Sequence, residues 1–341
     1  PTCQHITWPG LRQADEQVYR MPHAERELLP ARKPRRAAAE HWWIASYSAL
    51  RVGDQTLGAD SSQAQQLLDD EVLDAQVLRE VPPDSGDIHR FPRGPNPGTF
   101  LHGLLEWAGR EGFSQVTGNS QLIERTVGQR CNRRDWAGWI PTLTQWLQRL
   151  LNEPLPLPGN DLSVTLGQLR HYQIEMEFWF ASHQVDAEQL DRLVARHTHP
   201  GLARPAAQPT VLNGMFKGFI DLAFELDGRY YVTDYKSNWL GPDIQAYDTM
   251  AMEKSIIEHR YDLQYVLYLL ALHRQLRARL PDYDYDRHVG GALFIFLRGA
   301  SSSGHGVYHA KPPRELIERL DALFRGERAP AQQDLLAGVA P

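Results

Sequence analysis

The sequence predicts an α/β fold, with a mixed central sheet flanked by helices. Three observations carry that expectation. Two β-rich runs, 217–226 and 229–236, flank Asp227-Gly228, a dipeptide suited to the two positive-φ positions of a type I′ hairpin turn. An unbroken apolar run, Ala292-Leu293-Phe294-Ile295-Phe296-Leu297, reads as a buried strand. Helical periodicity recurs before and after the hairpin.

Taken in order, residues 1–40 are polar and rich in Arg and Pro and show no clean period. Residues 41–50 read as a short strand leading into a helix. The stretch from Gly53 to Gly86 is acidic, with a helix at about 61–79 and a breaker cluster at 81–86. A helix is expected from Thr99 as N-cap through Phe100, Leu101, Leu104, Leu105 and Trp107. Further helical patterns cover 119–128 and 136–152, and residues 172–181 alternate as a strand does. A helix at 187–196 precedes the hairpin. A long helix at 259–280 is stopped by Pro281, and a last helix occupies 313–325. The domain expectation is therefore 1–53 as the end of a preceding region, 54–87 as an acidic linker with a helix, 88–327 as the main domain and 328–341 as a flexible tail. The chain does not begin with Met, which suggests a piece of a longer protein.

Composition excludes some classes and permits others. No run of 18 apolar residues exists, so no membrane span is expected, and the N-terminus lacks the pattern of a secretory signal. Cys3 and Cys131 are too few for a disulfide framework or a zinc cluster, and a cytoplasmic setting is the default. The G-x-x-x-x-G-K-[ST] pattern is missing, so no ATPase site is expected here. The net charge is −6, unlike many DNA-binding domains. The charge is uneven, however: residues 54–87 hold nine acids and one base, a net of −8 that leaves +2 for the rest. Of the bases 31 are Arg and 5 are Lys, and Arg is the better bidentate phosphate ligand. Composition permits a nucleic-acid partner without arguing for one.

The hairpin makes a geometric prediction. With Asp227-Gly228 as a two-residue loop, paired residue numbers sum to 455, so Asp221 falls opposite Asp234 on one face. Facing carboxylates repel, and a divalent cation held by hard oxygen ligands is the usual remedy. Lys236, two residues beyond Asp234, leaves on the same face. The bland alternative is surface charge on an exposed hairpin. The apolar neighbours Phe216, Ile220, Leu222, Phe224, Tyr230 and Val232 argue for a central one, where acids are costly unless paired or coordinated.

Gly218-Phe219-Ile220-Asp221, followed by Asp234-Tyr235-Lys236-Ser237-Asn238-Trp239-Leu240-Gly241, resembles the GxxD…DYKSNWLG signature of RecB-type nuclease domains. These belong to the PD-(D/E)xK, restriction-endonuclease-like superfamily. Three more motifs of that family occur in order. Gly98 to Glu106 resembles its G-x-x-x-H-x-x-L-E helix, with His102 at the histidine. Glu175 in Ile174-Glu175-Met176-Glu177-Phe178 resembles its acidic strand, and Gln264-Tyr265-Val266-Leu267-Tyr268 its Q-x-x-x-Y helix. The likeness runs from about Phe91 to about Leu323, with a weaker one before it.

The resemblance implies a restriction-endonuclease-like core and a magnesium-dependent deoxyribonuclease of the exodeoxyribonuclease V type, with Mn²⁺ or Ca²⁺ as alternative occupants. It implies Asp221, Asp234, His102 and the Tyr235 carbonyl as metal ligands. Asp221, Asp234, Lys236, Gln264, Tyr268 and Glu175 are the implied catalytic group. DNA, a RecB helicase region on the same chain, RecC and RecD are the implied partners, in repair of double-strand breaks. A linker helix over the nuclease site is implied as well. A nuclease-fold module that only binds DNA or partner subunits is the alternative. Lys236 is expected to act as a protonated ammonium, because two neighbouring carboxylates favour its charged form. His102 reads alternatively as a helix cap or a core histidine, and Gln264 and Tyr268, one turn apart, as packing. Arg125, Arg130, Arg133 and Arg134 read equally as phosphate contacts or a solvated basic face. Glu106 and Glu177 read as structural.

Overall fold

The computed structural model describes residues 42–47, 50, 87–157, 162–300 and 304–327. The expectations for residues 1–41, for the acidic linker over 54–86 and its helix, and for the 328–341 tail lie outside these residues.

Strand β1 (Trp43–Ala45) comes from the 41–50 segment, so the sheet draws on residues ahead of the acidic stretch. Helix α1 spans Pro95–Glu111, four residues earlier than the expected Thr99 cap. Pro95 and Pro97 sit in its first turn, where a missing N–H leaves no bond unmade. The Thr99 hydroxyl donates instead to the Pro95 carbonyl at 2.8 Å, from inside the helix. Helices α2 (Phe113–Thr117), α3 (Ser120–Asn132) and α4 (Ile140–Asn152) follow, α3 capped by the Asn119 side chain. A two-residue strand pair, β2 (Leu155–Pro156) with β3 (Ser163–Val164), leads into the long β4 (His171–Asp186).

Helix α5 (Ala187–His197) connects β4 to β5 (Val211–Leu226), and the hairpin delivers β6 (Arg229–Lys236). The turn is the expected type, since Asp227 and Gly228 have φ of 51° and 77°. The long helix expected over 259–280 is α7 (Tyr261–Arg279), and a helix the sequence did not announce, α6 (Thr249–Glu258), precedes it. Arg260, at φ 57°, turns the chain between them. Its guanidinium is buried on Asp262 and Asp191, while Arg204 reaches the other Asp262 oxygen at 2.6 Å. That network anchors the N-terminus of α7, which carries Gln264 and Tyr268. A short α8 (Tyr285–His288) precedes β7 (Val289–Phe296), then β8 (Val307–Ala310) and α9 (Arg314–Phe324).

The sheet order is β1-β5-β6-β7-β8, with β4 also on β5. Pairings β1/β5 and β6/β7 are parallel and the others antiparallel, so the sheet is mixed as expected. Strand β7 is buried at all eight positions. Its Phe294 and Phe296 pack with Tyr261, Tyr265 and Tyr268 of α7, whereas Leu293 and Ile295 pack with Leu104, Trp146 and Leu147 from α1 and α4. Helices thus cover both faces, which explains the unbroken apolar run.

Two features of β5 make the site. Strand β4 pairs with it from Val211 to Glu225 and so occupies one edge. Strands β1, beside 214–216, and β6, beside 222–226, must share the other edge. Among the described residues, 217–221 therefore have no strand neighbour on that side, and the sheet is forked there. At the same level the alternation slips. Ile220 packs in the α7 core and Leu222 in the α1 core, although period 2 would place both on one face. Met176 and Ile174 of β4 divide in the same way. The switch falls at Asp221 and Glu175, the one level skipped between two regular pairings, and Glu175 has φ 50°. A left-handed non-glycine residue costs on the order of 1–3 kcal/mol and marks a position that its surroundings hold in place.

A buried histidine of α7 gives a pH dependence. His273 is 4% exposed, its Nδ1 lies 2.8 Å from the Tyr283 hydroxyl, and burial lowers its pKa to about 4. An unfolded His titrates near 6.5, so the unfolded chain binds the extra proton first. The stabilisation is complete above pH 6.5 and is lost as pH falls towards 4, by about 3 kcal/mol at most. Urea unfolding at several pH values between 7 and 4 should show a shallower decline in His273→Gln. An unchanged slope in the variant would place the acid sensitivity elsewhere.

Candidate active site

The hairpin register sums to 455 for five pairs, from Leu226↔Arg229 to Leu222↔Thr233, and stops one pair before Asp221 and Asp234. The sequence reading of one more regular rung is thereby corrected, because β5 turns away at the fork. The Asp221 carboxylate accepts the Tyr235 backbone N–H at 2.7 Å. The Asp234 charge still bears on Asp221. Burial first, then the charges of Asp234 and Glu175, hold the Asp221 carboxyl well above the usual carboxylate range, against the Tyr235 N–H and Lys236.

Strand β6 delivers Asp234 and Lys236 to the α7 face, as their two-residue spacing requires. The Lys236 ammonium donates to Asp234 Oδ2 at 2.9 Å and to Gln264 Oε1 at 2.9 Å. Gln264 Nε2 donates to Asp234 Oδ1 at 3.1 Å, and the Tyr268 hydroxyl to the same oxygen at 3.3 Å. Gln264 and Tyr268 also bond each other at 2.9 Å, so one face of α7 orients both ends of the Asp234–Lys236 pair. They are therefore more than packing. Tyr261, which the sequence offers only as packing on the same aromatic face, has its ring centroid 3.7 Å from Lys236 Nζ. An aromatic face so close favours the ammonium form. A Tyr three residues before Gln264 on the same helix was the available signal.

From the opposite face, α1 brings His102 over the Tyr235 ring, with Nδ1 3.7 Å from Asp221 Oδ2. His102 sits mid-helix, which removes the capping reading. Of Tyr235 it is the amide that engages Asp221. Arg298 was invisible in the sequence. Fully buried at the end of β7, it donates to the carbonyls of Ser237, Ile88, Phe91 and Pro92. It thereby clamps the end of β6 to the segment that leads into α1. The basic helix face divides: Arg130 is tied to the Gly103 carbonyl at 2.6 Å, while Arg125, Arg133 and Arg134 are exposed. Glu106 makes a surface ion pair with Arg110, and Glu177 one with Lys217.

Among the described residues, no three His, Cys, Asp or Glu side chains converge as a finished metal cage. The donor set is nonetheless of the right kind. Asp221 and His102 meet at the fork, and the charges of Asp234 and Glu175 bear on Asp221 with a repulsion that a divalent cation would relieve.

The chain matches the PD-(D/E)XK nuclease superfamily over residues 73–337. The chain belongs to that superfamily. Its nucleases depend on a divalent metal. The RecBCD enzyme subunit RecB of Escherichia coli is 38% identical over 326 residues, 94% of this chain and 26% of that protein. RecB of Haemophilus influenzae is 34% identical over 245 residues, and RecB of Mycolicibacterium smegmatis 28% over 348. The chain thus spans between about a fifth and a third of the length of these relatives, at 19%, 26% and 31%. No helix among the described residues is long and apolar enough to cross a membrane.

Proposed function

We propose that this chain is the DNA-cleaving domain of a RecBCD-type helicase–nuclease, hydrolysing phosphodiester bonds in DNA with Mg²⁺. The observation that carries the reading is the fork, where Asp234, Lys236, Gln264 and Tyr268 form one hydrogen-bonded group and Asp221, held on the Tyr235 amide, faces His102. Asp221, Asp234, His102 and the Tyr235 carbonyl would hold the ion, and bound there it supplies charge neutralisation at the scissile phosphate and a more acidic water. Lys236 stays an ammonium, held by Asp234, Gln264 and the Tyr261 face, and donates to the phosphoryl oxygen as charge develops on it. Gln264 and Tyr268 fix the Asp234 carboxylate. Glu175 adds negative charge beside Asp221 and so sharpens the demand for a cation.

The likeness to RecB supports the helicase region of the same protein, RecC and RecD as partners, double-strand break repair as the setting, and the cytoplasm as its place. The boundaries 88–327 for the nuclease and 54–87 for a linker are proposed from the sequence; the family match runs over 73–337, and β1 adds residues 43–45 to the same sheet. A second reading draws on the engagement of Asp234 by Lys236, Gln264 and Tyr268: a nuclease-fold module that only binds DNA. Cleavage of single-stranded DNA by this chain, with and without EDTA and beside Lys236→Gln, separates the two. The nuclease reading expects EDTA-sensitive cleavage that falls about 100-fold or more in the variant. Binding without cleavage at any divalent metal concentration leaves the module.

A further inference from the structure

Upstream of Asp221 the sheet presents an aromatic and cationic face that the chemistry above does not use. Phe178 and Phe216 are buried in the α7 core, so their neighbours Trp179, Lys217 and Phe219 point to the other face. Trp179 lies directly across from Lys217, and Glu177 across from Phe219, which makes Trp179 and Phe219 diagonal neighbours about 7–8 Å apart. The Lys217 ammonium stands between the rings, 4.7 Å from the Trp179 centroid and 4.9 Å from that of Phe219. Glu177 accepts from Lys217 at 2.9 Å and also engages the Trp179 side chain, so the platform is held in place. Trp179 is nevertheless 45% exposed.

We propose that this face is a base-stacking platform that feeds a single nucleic-acid strand into the fork. The inference rests on the nuclease reading for its direction and on this geometry for its chemistry. Phe219 precedes Asp221 by two residues, about 6.8 Å of strand, so a base seated on it has its phosphate within reach of the site. A small pocket lined by Tyr47, Phe216, Gly218, Gln264 and Tyr268 lies on the α7 face of the same stretch of β5. Flat rings around a cation suit a strand of alternating bases and phosphates, without preference for sequence. Ile44, 54% exposed, continues the apolar surface beyond Met215, which makes a protein segment the rival occupant.

The test measures binding by fluorescence anisotropy in EDTA, using the full chain, a short oligothymidylate and an abasic strand of equal length. Trp179→Ala and Phe219→Ala are each expected to weaken oligothymidylate binding by about 5- to 100-fold, with Trp179→Phe close to wild type. Binding of the abasic strand should be the same in all of them. Equal affinity of wild type and Trp179→Ala for oligothymidylate overturns the platform, as does a parallel loss for both strands. A face covered by protein gives the first of those results. Wild-type cleavage with Mg²⁺ is scored separately. A chain that binds as expected and cuts neither strand removes the nuclease reading and leaves the platform.

Discussion

Replacing Asp234 by Ala is expected to reduce DNA cleavage by about a thousandfold or more and to abolish the thermal stabilisation by divalent metal. Asp234 stands at the junction of the site. One of its oxygens receives Lys236 and the other Gln264 and Tyr268, and its charge bears on Asp221. The variant therefore loses a proposed metal ligand and releases the ammonium in one step. In the wild type, a metal that binds only the folded chain adds RT ln(1 + [M]/Kd), about 2.7 kcal/mol at a hundredfold excess. For a domain of this size that corresponds to roughly 5–10 °C in Tm. Differential scanning fluorimetry with and without Mg²⁺ or Mn²⁺ reads it directly, and a wild-type rise in Asp234→Ala would put the metal elsewhere. Asp221→Asn supplies the sign. Because its folded-state carboxyl is held well above the usual range, ionisation of Asp221 opposes folding once pH exceeds the unfolded value. The metal-free Asp221→Asn protein should therefore melt higher than wild type at neutral pH and gain nothing from metal.

The second large effect is expected at a residue that touches no reacting atom. Arg298 is fully buried and donates to four backbone carbonyls, at 3.2, 3.1, 2.8 and 2.7 Å. Arg298→Met leaves those acceptors without their partner in the core, where loss of buried charge-assisted bonds costs about 3–5 kcal/mol. Arg298→Lys should lose nearly as much, because an ammonium cannot spread its donors as a guanidinium does. Ser237 follows Lys236, and Ile88 to Pro92 lead into the helix of His102. At a temperature where both proteins are folded, Arg298→Lys should therefore also lower kcat while leaving affinity for single-stranded DNA near wild type. Full activity in a folded Arg298→Lys protein would make the clamp a matter of stability alone.

Sequence alone dictated the hairpin, because Asp227-Gly228 is local turn chemistry and its register follows from counting. It announced a strand over the apolar run 292–297, which needs two covered faces and extends back to Val289 in the structure, and the helices around it. Two- and four-residue spacings put Asp234 with Lys236, and Gln264 with Tyr268, on shared faces, while the place of Gln264 and Tyr268 in a site came from the family resemblance. The fork was settled by tertiary structure alone. Nothing local in 217–221 says that β1 and β6 share one edge of β5, or that Ile220 and Leu222 part to opposite cores. The 455 count therefore ran one rung too far, to the residue where pairing gives way to a carboxylate on the Tyr235 amide. Thr99 was misread for a related reason. Prolines at 95 and 97 look like breakers in a sequence but are harmless where no helical N–H is needed. Arg298 and the exposed platform at Trp179 depend on contacts between residues dozens to hundreds of positions apart, and periodicity carries no information at that range.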